Sequence, residues 1–472
     1  MIALALSALI CIGPSAARGA EAAAPPDSGE ALALLERALA VAESIEDAPS
    51  RADAVGRVAA ALAGIDPRRS LTLVEAEAAT HLQSEAMARA AEALARDNRF
   101  LGLATLIRVS DRSAVLDALG RIVAMEALED LDEAIDIVEK IDNLPVRRVV
   151  ERDVARALWA DVGSDQQQAV EVAVAWADTI SDPVTHGEAL AYAAEGAAGY
   201  DLGRAEEIAA RIPAGDARDL AWRLVVQRTS PHEPTEALRL LANLATPLQR
   251  SLAGTAVVAG LVAAGEKAEA LRLAREIRAL AEDGIEDLRD RGLVLAQLAL
   301  AIVDVDSAYA LSVLTEVWPP VERYATQALV ARSDNHPGPD AQRALIEDSW
   351  VEVRRVDAPL IERQIASAAL VAAEDVAPEL IDTMVEERPG LVQAALPDAV
   401  EMAVSEPALA LRLAERIEDR VVRETAKAEI AVETARTEPA LARQIAEGLT
   451  VAGAKSAALV ALARAAMPPA VD

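Results

Sequence analysis

Residues 407–423 read PALALRLAERIEDRVVR, and this stretch decides the fold. Pro407 opens a helix that runs through Ala414 to Ile417. Asp419 stands two residues beyond Ile417, where its carboxylate can cap the free N–H groups of a second helix. Arg423 follows, six residues after Ile417. One helix ends and another begins within four residues, which predicts a tight helical hairpin.

The same arrangement of apolar anchor, cap and basic residue recurs along the chain. Ile45, Ile141 and Ile285 carry it with Asp47, Asn143 and Asp287 as caps and Arg51, Arg147 and Arg291 behind them. Further anchors are Val109, Ile180, Ile212, Leu244, Val317, Val356, Val385 or a neighbour, and Leu449. Val109 and Ile141, Ile180 and Ile212, Ile212 and Leu244, and Ile417 and Leu449 each stand 32 residues apart. A degenerate copy falls near Glu77, and the gaps after Ile141, Leu244 and Val317 are longer, at 39, 41 and 39 residues. The count is about thirteen copies, each one supersecondary unit.

Asp111, Asp182, Thr246 and Asp419 occupy the cap position in further copies, and Pro183 and Pro247 follow two of them. Proline is harmless there because the first helical N–H has no partner anyway. A first helix of about four turns follows. After Ile45 its apolar residues are Ala54, Val55, Val58, Ala59 and Leu62, which share one face. About twenty residues past the anchor comes a second break, such as Asp66-Pro67, Gly265 or Glu438-Pro439, and then a second helix. Ala42, Ala177, Ala209 and Ala414 each lie three residues before an anchor, where a small side chain lets helices approach closely. Sustained period-2 alternation is absent. A single hairpin leaves apolar faces uncovered, so neighbours must stack. The expectation is an all-α protein, an α-solenoid over residues 31–466 with a tail at 467–472.

Hairpins of this length with Ala-rich second helices resemble tetratricopeptide (TPR-like) repeats. Ala263-Ala264-Gly265-Glu266-Lys267-Ala268-Glu269-Ala270-Leu271 is similar to that family's turn into its second helix. HEAT-like repeats are the second label that fits. The resemblance implies protein or peptide binding in a concave groove.

The 472 residues carry 46 basic and 77 acidic side chains, a net charge of −31. That charge repels phosphate backbones and argues against nucleic acid as a partner. Met1 to Ile12 is almost wholly apolar, too short for a membrane span, and matches the apolar region of a secretory signal, although no basic residues precede it. Cleavage after Ala17, Ala20 or Ala24 is expected, which places the signal at residues 1–24, a polar linker at 25–30 and the mature protein in the periplasm or outside the cell. The only cysteine, Cys11, lies inside that segment behind Ile10, which disfavours lipidation. A mature chain without it has no disulfide and no thiolate chemistry.

Catalytic, cofactor and metal sites are not expected. His81, His186, His232 and His336 are too scattered to form a helical metal pair. Gly448 to Ser456 has the wrong spacing for a phosphate loop. The acidic runs around Glu126–Asp136 and Glu282–Asp290 read as solvated helix faces. Arg51, Arg147, Arg218, Arg250, Arg291, Arg323 and Arg423 share one slot, with His186 in it once, and read as an architectural ridge before a ligand ladder. Nine of the ten aromatic rings fall between Trp159 and Trp350, where the three long copies also lie. Trp176 and Trp222 take core positions. Trp159, Trp318 and Trp350 miss those positions and are the candidate partner-binding anchors, against an alternative role as gap fillers.

The expected function is a non-enzymatic scaffold that binds a protein or peptide. One alternative is a structural spacer that associates through an exposed last hairpin. The other is an enzyme, an (α/α) toroid or a superhelical cell-wall hydrolase. A toroid requires the chain ends to meet around a pocket with rings and paired carboxylates.

Overall fold

The computed structural model describes residues 28–75, 81–97, 99–162, 165–317, 320–333, 338–355 and 359–467. The expected signal at 1–24, residues 25–27 of the expected linker, Glu77, Trp318, Val356, His336 and most of the tail therefore lie outside the described residues, while residues 28–30 of that linker are corrected to the first turn of a helix. Those described form 26 α-helices and no strand. The fold is all-α.

In chain order the helices are α1 (Ser28–Glu43), α2 (Ala48–Leu62), α3 (Pro67–Glu75), α4 (His81–Asp97), α5 (Arg99–Leu106), α6 (Arg112–Glu129), α7 (Leu131–Glu139), α8 (Leu144–Ala157), α9 (Gln166–Thr179), α10 (Pro183–Ala197), α11 (Leu202–Arg211), α12 (Asp216–Thr229) and α13 (Pro234–Leu240). They continue with α14 (Pro247–Ala263), α15 (Lys267–Gly284), α16 (Leu288–Ile302), α17 (Ser307–Leu314), α18 (Pro320–Val330), α19 (Pro339–Val353), α20 (Pro359–Val376), α21 (Glu379–Glu387), α22 (Pro389–Met402), α23 (Pro407–Glu415), α24 (Arg420–Thr434), α25 (Pro439–Gly448) and α26 (Ala452–Ala466). Two compact units divide them. The first comprises Ala22–Arg228 and Ala435–Asp472, and the second is Thr229–Thr434.

Even-numbered helices start just after the anchors, and the cap chemistry explains why. The side chains of Asp47, Asp111, Asn143, Asp182, Asp287 and Asp419 each accept a backbone N–H from the first turn. Thr246 holds the cap position of α14 without such a side-chain bond. Odd-numbered helices end at the anchor. Ile45, Ile180, Ile212 and Ile417 each donate their N–H to the carbonyl of the alanine three residues earlier. Those alanines, Ala42, Ala177, Ala209 and Ala414, are fully buried. Gly265 supplies the positive φ of 82° that turns α14 into α15.

The α4–α5–α6 region shows how neighbours stack. Leu106 and Val109, from the end of one hairpin, pack with Ala88 and Ala91 of α4 and with Ala118 and Ile122 of α6. The anchor is thus shared by two hairpins, and neither could bury it alone. The three long copies have a simple cause: their second helices are long. α9, α15 and α19 have 14, 18 and 15 residues, whereas α11, α17 and α23 have 10, 8 and 9.

Within the first unit the first and last described helices pack together. α1, from the N-terminal end, lies against α26, from the C-terminal end, and both contact α2. The fully buried Ser456 donates its hydroxyl to the Ala38 carbonyl at 3.1 Å. Arg443 on α25 forms an ion pair with Glu30 on α1. Among the described residues, α1 and α26 pack on each other as the two helices of a hairpin do. The last hairpin is therefore covered, which corrects the expectation of an exposed end available for association.

Candidate functional site

Three of the seven recurrent arginines serve the helix ends. Arg51 Nη1 donates to the Ile45 carbonyl at 3.1 Å, Arg218 Nε to the Ile212 carbonyl at 2.5 Å, and Arg423 Nη1 to the Ile417 carbonyl at 2.5 Å. His186 reaches back in the same way, its Nδ1 2.8 Å from the Ala177 carbonyl. A helix C-terminus has orphan carbonyls and a partial negative charge, and a cation at the start of the next helix meets both. Arg147 instead pairs with Glu151 at 2.7 Å. Arg250 is exposed, the Arg291 Nε is buried, and the Arg323 guanidinium lies 5.3 Å from the Tyr324 ring centroid. The seven side chains do not form one ladder for a ligand.

A different ladder, unread in the sequence, crosses between odd-numbered helices. Glu36 pairs with Arg69, Glu75 with Arg108, Glu171 with Arg204, Asp178 with Arg211 and Arg354 with Glu387, every pair 33 residues apart. Acid-to-arginine matches at one fixed offset were its available signal. Such exposed pairs contribute up to about 1 kcal/mol each, so the ladder sets register more than stability.

The tryptophans divide. Trp176 and Trp222 are core residues, 1% and 6% exposed, and the Trp176 indole donates to the Glu151 carbonyl at 2.8 Å. Trp350 is also buried, at 4% exposure, and its indole N–H donates to Glu387 at 2.8 Å. It is therefore corrected from groove anchor to core residue of α19. Trp318 lies outside the described residues. Trp159 is half-buried in the π-helical turn Leu158–Val162, with the Arg228 guanidinium 5.8 Å from its ring centroid.

A cleft of 580 Å³ lies between α4 and α6, two successive even-numbered helices of the first unit. Glu85, Arg89, Glu92, Ser113, Asp117 and Arg121 line it with two alanines. Arg121 and Glu92 bridge it at 2.6 Å, and Arg89 pairs with Glu85 along α4 at 2.7 Å. On α4 these residues fall at positions 85, 89 and 92, the i, i+4, i+7 spacing of one helical face. Arg464 of α26 stands near enough for Arg89 and Glu85 to act on it; burial, and then the charge of Arg89, push its guanidinium below the usual arginine range. The cleft offers charges of both signs and no aromatic ring. No group of three metal-ligating side chains occurs among the described residues. No helix among them is long and apolar enough to cross a membrane.

No family model and no curated protein matches the chain. The crystal structure of Ton1535 from Thermococcus onnurineus NA1 is similar over 72% of this chain and 98% of that one, at 13% identity and a TM-score of 0.22, a likeness too slight to carry an argument.

Proposed function

We propose that this chain is a non-enzymatic binding protein of the periplasm or cell exterior. It is built of hairpin repeats of the α-solenoid class, TPR-like or HEAT-like, with a period near 32 residues. It holds a protein or peptide partner against its even-numbered helices, without cofactor or metal.

The α4–α6 cleft carries this reading. Its walls come from successive hairpins, and its lining alternates Glu85, Arg89, Glu92, Asp117 and Arg121. A surface with both charges spaced along helices suits an extended polypeptide, whose own charges can be matched in sequence. Capture from an envelope extract of the source organism at moderate salt tests it. One abundant protein should bind the wild type and be lost when Arg89→Glu and Asp117→Lys are combined. Retention of that protein by the double variant removes the cleft as the site.

The enzyme reading draws on one observation, the pairing of α1 with α26, since a toroidal enzyme needs its ends to meet. Its other requirement, rings around paired carboxylates, finds no support in the α4–α6 cleft. The spacer reading draws less support, because it would have α26 free to associate and α26 packs on α1.

A further inference from the structure

A second charged site lies on α8, α10 and α12, apart from the cleft. Its oddity is its sign. In a chain of net charge −31, the arginines Arg156, Arg223 and Arg228 all act on the single carboxylate Glu195. Glu195 makes no hydrogen bond or ion pair with any of them. The three cations therefore lie within electrostatic reach of Glu195 with no direct ion pair to it.

The surrounding polar atoms are donors in want of an acceptor. Arg223 Nη1 donates to Gln227 at 3.0 Å, but its Nε is buried with no partner. Trp159 Nε1 is likewise buried with no partner. Gly196, next to Glu195, has no Cβ, and one built there would lie 2.7 Å from the Trp159 ring. Glycine thus lets the indole lie against α10. Arg228 covers the other side, over the Trp159 ring and beside Gly199. Tyr192 stands one turn before Glu195 and acts on Arg223. Arg152, Asp153 and Glu188 complete the charged surroundings, with Arg152 already paired to Asp153 at 3.1 Å. Arg156 and Arg228 are exposed, so the site opens to solvent.

Leaving a buried donor unmatched is costly, and grouping cations is costlier, unless a ligand answers both. We propose that Arg156, Arg223, Arg228 and the Trp159 indole N–H form a binding site for a small dianion, a tetrahedral oxyanion or a dicarboxylate. Such a group is an acceptor with two negative charges, and arginine forks suit it. Glu195 tunes the site. Burial raises its carboxyl above the usual range, and the three arginines only partly offset this. Protonated, it donates to the bound oxyanion; ionised, it competes for the arginines. Binding therefore tightens as pH falls through the Glu195 titration.

Titration calorimetry on the full chain, at fixed ionic strength, tests the proposal with sulfate, inorganic phosphate and succinate. Sulfate keeps one charge across the range, so its pH dependence reports the protein. Saturable binding of at least one probe at one site is expected. Preference for sulfate and phosphate identifies a tetrahedral group, and preference for succinate a dicarboxylate. Arg223→Gln should weaken binding at least tenfold. Exposed Arg228→Gln should weaken it several-fold and serves if Arg223→Gln fails to fold. Glu195→Gln should tighten sulfate binding at pH 8 and flatten its pH dependence, while Arg250→Gln should match the wild type. Failure of all three probes to saturate overturns the proposal. So does unchanged binding in the arginine variants.

Discussion

Arg423 and Arg250 fill the same slot of the repeat, yet only one has work there. Arg423 donates to the carbonyl of Ile417 and also to that of Glu418, whereas Arg250 is exposed with its backbone N–H alone engaged. A hydrogen bond from a charged donor to an otherwise orphaned carbonyl is worth roughly 1.5–3 kcal/mol in favourable settings. Arg423→Ala should therefore lower stability by about 1–2 kcal/mol in urea unfolding, and Arg250→Ala should leave it unchanged. Equal effects would mean the slot acts through its charge alone. The slot was legible in the sequence because the spacing is local, six residues across one turn. Its unequal use was not legible, since it depends on how each side chain bends back.

Among the elements, two of the lengthened second helices each carry a buried ring. α9 and α19 outrun their shorter counterparts, and Trp176 and Trp350 are buried in their C-terminal turns. Clustering of rings with long copies was visible in the sequence; whether they faced a groove or a core was not. The contact of α10 with the Trp159 turn offers a clean test. A Cβ at Gly196 would stand 2.7 Å and 2.9 Å from Trp159 atoms and 2.9 Å from Val170. Gly196→Ala gains helix propensity but overpacks this contact, and the balance should cost about 1–3 kcal/mol. Gly453→Ala is the control, because nothing lies within 4 Å of a Cβ there. If thermal unfolding finds Gly196→Ala as stable as the wild type, the Trp159 turn is not packed tightly on α10.

For the whole molecule, the pairing of α1 with α26 couples residues more than 400 positions apart. Leu34, Leu35 and Leu39 of α1 are buried, as are Leu459, Val460 and Leu462 of α26. Deleting residues 450–472 should expose α1, lower the melting temperature and abolish the slow hydrogen exchange of α1 amides. Leu35→Ala should cost about 2–5 kcal/mol, as for a fully buried leucine. Undiminished protection of α1 in the truncated chain would show that the pairing is dispensable. The sequence by itself determined the helices, their caps, the anchors and the alanines at close approaches, because each rests on spacings within one or two turns. Only the tertiary structure decided which tryptophans are buried, which ladder links the odd-numbered helices, where arginines act on Glu195, and that α1 packs on α26. Those outcomes depend on contacts between distant segments, and local spacing carries no mark of which distant helices must meet.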